Sequence, residues 1–186
     1  MTQFEYLAIA FSLLYSLAAL RIIGGLSEAL EGETRSLPHL ALSLVHLFLV
    51  AVSFWVFWSL RDADWTFIGF LVALLIPGAL YYCSTVLIPA EPESVASWRD
   101  HHVEVRNRWY LGLALWAVGA ALSATVNLGM GLAHPARGIQ AMALAVGVVG
   151  GLSRNERIHR GLVALLVVLA AVTVAAQLRP DWIAGG

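Results

Sequence analysis

Arg21 and Glu28 lie inside the first long apolar stretch of this sequence, seven residues apart and therefore on one face of a helix. In the second stretch His39, Ser43, His46 and Ser53 follow at steps of four, three and seven, which puts all four on one side of a helix. Ionisable groups inside a membrane are costly, and they mark a functional site by default. An arginine facing histidines suits two kinds of work. It can hold an anionic group, or it can stand beside a relay of protons through imidazole, which titrates near neutral pH. If the first two stretches form an antiparallel hairpin, Arg21 falls at the depth of His46 and Glu28 at the depth of His39. A third stretch brings Tyr81 and Tyr82 to the depth of Ser43, with Pro77-Gly78 one turn away as a candidate kink. The expected lining of a ligand or ion pathway is therefore Arg21, Glu28, His39, Ser43, His46 and a tyrosine, Tyr81 or Tyr82.

Plainer roles compete with this pathway. Arg21 is two to three turns from the end of its stretch and can snorkel to the interface. Glu28 and His39 can be simple interface residues. His46 can be satisfied by a backbone carbonyl or by a serine on a neighbouring helix. Histidines seven apart are too distant to share one metal, since helical ligands usually sit three or four apart. His101 and His102 are adjacent and diverge on a helix, and only His46 lies deep enough for a membrane haem. No metal site and no cofactor is expected. His-Glu-x-x-His, Gly-x-Ser-x-Gly and phosphate-cradling glycine loops are all missing, so the reading leans away from an enzyme. Asp62 and Asp64 read as a solvated turn with Arg61. Cys83, the single cysteine, reads as a buried inert thiol. All eleven basic residues are arginine, and without lysine there is no Schiff-base chemistry.

The elements that must position these residues are long and apolar. Of 186 residues 60% are hydrophobic and 12% charged, with a mean hydropathy of +0.78. A soluble domain carries about 25% charged residues, and one of this length could not hide so much apolar surface. Six stretches approach the ~20 residues needed to span a bilayer. They run approximately 4–29, 38–60, 65–89, 109–130, 136–153 and 159–178. Unbroken apolar runs of this length satisfy their own backbone as helices, not as the short alternating strands of a barrel. The expected fold is a single all-α integral membrane domain of about six transmembrane helices. Within the connector 90–108, Val95, Trp98, His102 and Val105 share one side at helical spacing, which fits a short interfacial helix capped by Ser94.

Arginines fix the expected orientation. Arg35, Arg99, Arg106, Arg108, Arg154, Arg157 and Arg160 fall on one side; Arg61, Arg137 and Arg179 fall on the other. The first side should be cytoplasmic and both termini outside, in a bacterial inner membrane. Trp58, Trp65 and Trp182 then mark one interface, Trp98 and Trp109 the other. The net charge of −1 leaves no basic footprint for nucleic acid, so the lipid bilayer is the expected partner. Ala143, Gly147 and Gly151 repeat every four residues, a small-residue seam for helix packing within the bundle or against a second copy or another membrane protein. Two functions follow from these readings. One is binding or translocation of a small solute or ion through the polar cluster of helices one to three. The other is a non-catalytic scaffold or accessory subunit acting through helix–helix contacts.

Overall fold

The computed structural model describes residues 2–31 and 35–177; Gly32, Glu33 and Thr34 of the first connection, and Arg179 and Trp182 of the orientation argument, lie outside them. Six α-helices follow one another: α1 (Gln3–Glu31), α2 (Leu37–Phe57), α3 (Phe67–Leu87), α4 (Trp98–Leu128), α5 (Ala136–Leu152) and α6 (Glu156–Gln177). There is no strand among the described residues. Five helices are long and apolar enough to cross a membrane, and α5 is a shorter apolar one. Large apolar side chains such as Leu13, Ile23, Trp55, Phe67 and Val168 stand exposed around the outside. Lipid is the medium that accepts such a surface, and the chain is an all-α membrane bundle.

Local sequence sets where each helix starts. The Ser36 hydroxyl accepts from the His39 N–H, with Pro38 in the first turn of α2. Thr66 caps α3 through the Gly69 N–H at 3.0 Å, and Ser97 caps α4 through the Asp100 N–H. α4 ends on Gly129, whose φ of +61° is the left-handed geometry that favours glycine. α3 runs unbroken through Pro77. Neighbours are antiparallel. The ring of Phe4 near the start of α1 stacks on Phe57 at the end of α2. Asn127 at the end of α4 bonds the Gly69 carbonyl at the start of α3. The connections α1–α2, α3–α4 and α5–α6 thus share one end of the bundle, called here the arginine-rich end.

The stretch 98–108 is continuous with α4 and does not form a separate helix lying on the surface; a short 3-10 turn, Pro92–Ser94, precedes it. Ser97 caps it instead of Ser94, and Val95 lies before it in extended backbone; Trp98, His102 and Val105 share a helical side as expected, but that side is buried against the bundle. Packing explains this: the His39 ring lies against Trp98 and His102, and His101 bonds the Leu87 carbonyl at the end of α3. At 31 residues α4 is roughly 46 Å long against a ~30 Å hydrocarbon core, so its first turns reach the interface.

α5 lies tightly on α4. A Cβ on Gly147 would run into the backbone of Ala114, one on Gly150 into the ring of Tyr110, and Gly151 faces the Leu111 side chain. The small-residue seam is therefore used inside the chain. α6 diverges from α5 and packs on α2 instead. At the far end Arg137 ties the α4–α5 turn, giving hydrogen bonds to the carbonyls of Ala121 (2.8 Å) and Met130 (2.7 Å), to Gln140 and to Thr125. Gly147→Leu should lower stability by at least the upper part of the ~1–3 kcal/mol typical of overpacking, read as thermal unfolding in neutral detergent. Gly78→Ala, with open space around it, should stay within about 1 kcal/mol of the parent. Equal midpoints for the two variants would refute the packing account.

Candidate functional site

Two groups of buried polar residues occupy the arginine-rich half, and they differ in how well their hydrogen bonds are met. The first joins α1, α2 and α3. His46 Nε2 lies 3.1 Å from the Leu80 carbonyl and 2.9 Å from Ser84 Oγ. The Ser84 hydroxyl is 2.9 Å from the Ala18 carbonyl. A carbonyl only accepts, so Nε2 carries the proton and Nδ1 keeps a bare lone pair. Arg21 does not meet His46. Its Nε donates to the Ile88 carbonyl at 3.0 Å and caps the C-terminus of α3. The dipole of α3 favours a cation there. Glu28 accepts from the Ser27 hydroxyl beside it and does not reach His39. Tyr81 and Tyr82 point outward, 38% and 44% exposed. Helical phase is the reason: α3 turns Leu80, Cys83 and Ser84 inward, which leaves 81 and 82 on the lipid side. Ser84 takes the part expected of a tyrosine. This group is a three-helix fastening.

The second group joins α2, α4 and α6. His39 is fully buried, with neither ring nitrogen partnered. Its ring lies 5.0 Å from Trp98, 5.7 Å from His101 and 5.9 Å from His102, between ring centroids. One turn further along α4, Arg106 is 7% exposed, and its Nε has no partner. Electrostatic coupling connects Arg106 to His102, His159 and Tyr110. The rings of Tyr110 and His159 lie 5.3 Å apart. The Tyr110 hydroxyl, Ser43 Oγ, His102 Nδ1 and His159 Nδ1 are all buried and unpartnered. His159 gives its Nε2 proton to the Ser153 carbonyl at 3.0 Å, so its Nδ1 is an acceptor.

No carboxylate pairs with Arg106 among the described residues. The nearest acids in sequence turn away: Glu104 pairs with Arg108 and Glu156 with Arg160, all four on the surface. Buried cations are ordinarily paired, because an unpaired one forfeits its hydration. The helix ends do not decide the sign of the potential here, since α2, α4 and α6 begin at this end and α1, α3 and α5 finish at it. Among the described residues no three His, Cys, Asp or Glu side chains come together to hold a metal ion. The chemistry this arrangement offers is reception of negative charge, with Arg106 and Tyr110 as donors and His159 Nδ1 as an acceptor.

Of the expected pathway residues, His39 belongs to this second group, His46 to the fastening, Arg21 to a helix cap, and Glu28, Tyr81 and Tyr82 to neither; Ser43 is buried one turn from His39 with its hydroxyl unpartnered. His102, Arg106, Tyr110 and His159 complete the group. A signal for three of them was present: the helical side Trp98–His102–Val105 continues one turn to Arg106 and Tyr110. α4 and α6, outside the three helices expected to carry the polar cluster, thus supply His102, Arg106, Tyr110 and His159.

Comparison with protein-family models, curated proteins and solved structures returns no match for this chain. The fold defines the class, a six-helix membrane bundle, and the geometry alone carries the functional reading.

Arg106→Met should leave the thermal stability in neutral detergent unchanged or raised, because an uncompensated buried charge is removed. Arg21→Met should cost about 1–3 kcal/mol, since it strands the Ile88 carbonyl. Were Arg106→Met the more damaging of the two, its guanidinium would be a structural group and this site would fall.

Proposed function

We propose that the protein binds a small anionic group, a phosphate monoester, at the arginine-rich end of its bundle. The observation that carries this reading is Arg106, buried with no carboxylate partner among the described residues, beside unpartnered ring nitrogens of His39, His102 and His159 and the unpartnered Tyr110 hydroxyl. A guanidinium and a phenol hydroxyl donate to charged phosphate oxygens. A bare imidazole nitrogen accepts from a protonated one. Near neutral pH a phosphate monoester offers both kinds of oxygen, because its second pKa is about 6. A carboxylate offers only acceptors and leaves the imidazoles unused. This keeps small-ligand binding as the function and moves its site from α1–α3 to α2, α4 and α6. Gly147 and Gly151 serve packing against α4, so the small-residue seam no longer favours the scaffold reading.

Ethyl phosphate is a probe small enough to enter. It should raise the unfolding midpoint of the protein in neutral detergent, by about 2.7 kcal/mol at a hundredfold excess over Kd. Arg106→Met should abolish the response, and Tyr110→Phe should weaken it. A parent protein that responds no more than Arg106→Met would sink the proposal.

In the same reading the arginine-rich end faces the cytoplasm of a bacterial inner membrane. The positive-inside rule supports it through the excess of arginine at that end. On a Cys83→Ala background, Ser94→Cys should resist an impermeant thiol reagent applied outside intact cells, while Leu132→Cys, 93% exposed at the far end, should react. The reverse pattern inverts the orientation.

A further inference from the structure

A half-open cleft of about 580 Å³ runs between α2, α4, α5 and α6, its walls including Val45, Leu49, Trp109, Leu113, Ala143 and Leu166. That volume is in the range of small-molecule sites, ~300–1,000 Å³. The lining is overwhelmingly apolar. One of its polar groups is already engaged, as Trp116 Nε1 donates to Ser53 Oγ at 3.1 Å.

We infer that this cleft seats the hydrocarbon chain of a lipid phosphate monoester whose headgroup lies on Arg106. The inference rests on the anion reading above and names the ligand's second half. Its first support is continuity. Trp109 lines the cleft, and its ring meets the Tyr110 ring edge-on at 5.1 Å, so cleft and polar group share a wall. The second is a gradient shared by two of the three helices that build the polar group, α4 and α6. On α4 the side that carries His102 and Arg106 continues into Trp109, Leu113 and Trp116 of the cleft. On α6 His159 gives way to Leu166 and Ala170, seven and eleven residues on and therefore on the same side. His102, Arg106 and His159 stand at the interfacial end, and large apolar side chains follow them into the trough, which is the profile of an amphiphile lying along the bilayer normal. The third support is access. Buried as it is, Arg106 suits a ligand that arrives from the lipid phase with its chain already in hydrocarbon.

The chain gains little hydrophobic energy on leaving lipid for an apolar cleft, so shape is the property to test. Ala143→Phe and Ala170→Phe each fill the cleft from a different helix, away from the polar group. In zwitterionic nanodiscs both variants should bind dodecyl phosphate at least tenfold more weakly than the parent and bind ethyl phosphate equally well. Dodecyl phosphate brominated at its terminal carbons should quench parent fluorescence more than that of Trp116→Phe, since Trp116 lines the cleft. Arg106→Met should lose both ligands. Unchanged dodecyl phosphate binding in both filled variants, with no Trp116-dependent quenching, overturns the chain site and leaves the headgroup reading intact. Failure of the parent to bind ethyl phosphate overturns the headgroup reading, and the inference with it. If one filled variant also loses ethyl phosphate it has lost its fold, and the other variant and the quenching decide.

Discussion

A helix that ends against protein instead of water leaves its last carbonyls without partners, and inside a membrane bundle nothing but side chains can take them. At the arginine-rich end α3 and α5 finish in this way. Arg21 and His101 reach the carbonyls of Ile88 and Leu87. Asn107 gives its amide to Gly151 at 2.9 Å and Ser153 at 2.6 Å, and His159 also serves Ser153. These contacts draw α1, α4 and α6 onto the helix ends and fix the level of each. The same need at the far end of the α4–α5 hairpin is met by Arg137.

Against that background the unpartnered groups acquire meaning. The bundle contains enough donors and acceptors to close its own ends, and it uses them there. His39, Ser43, Arg106 and Tyr110 lie beside these closed ends, yet none is spent on them. Their desolvation therefore lowers stability with no structural return visible in the chain, which is the usual economy of a binding site. The fastening of His46 and Ser84 is the counter-example a few residues away. It is equally buried and equally polar, and it crosslinks three helices.

Fold class was legible because it depends on summed hydrophobicity over long windows, a property local to each span. The depth argument for α1 and α2 was sound as far as topology went, since Phe4 does meet Phe57. It could not choose partners. Arg21 has a long side chain and reached along the helix to the Ile88 carbonyl, a backbone atom with no signature in the sequence. The tyrosines failed by phase: depth placed them well, but a helix turns about 100° per residue, and Ser84 faced inward in their place. Arg106 was hidden differently. It was counted among connector arginines, and only the continuation of α4 through residues 98–108 carries it into the bundle. His159 stands in the first turn of α6, where polarity is ordinary for an interface, and its burial follows from α6 crossing to α2 and α4.

The divergence of α6 from α5 has a mechanical side. α6 buries His159, Val163 and Leu166, and no described residue beyond Leu166 is buried. The first half of the helix is held by protein and the second chiefly by acyl chains. One flank of the apolar cleft is therefore set by the packing of the surrounding lipid, and bilayer thickness and lateral pressure act on its width as directly as any side chain does.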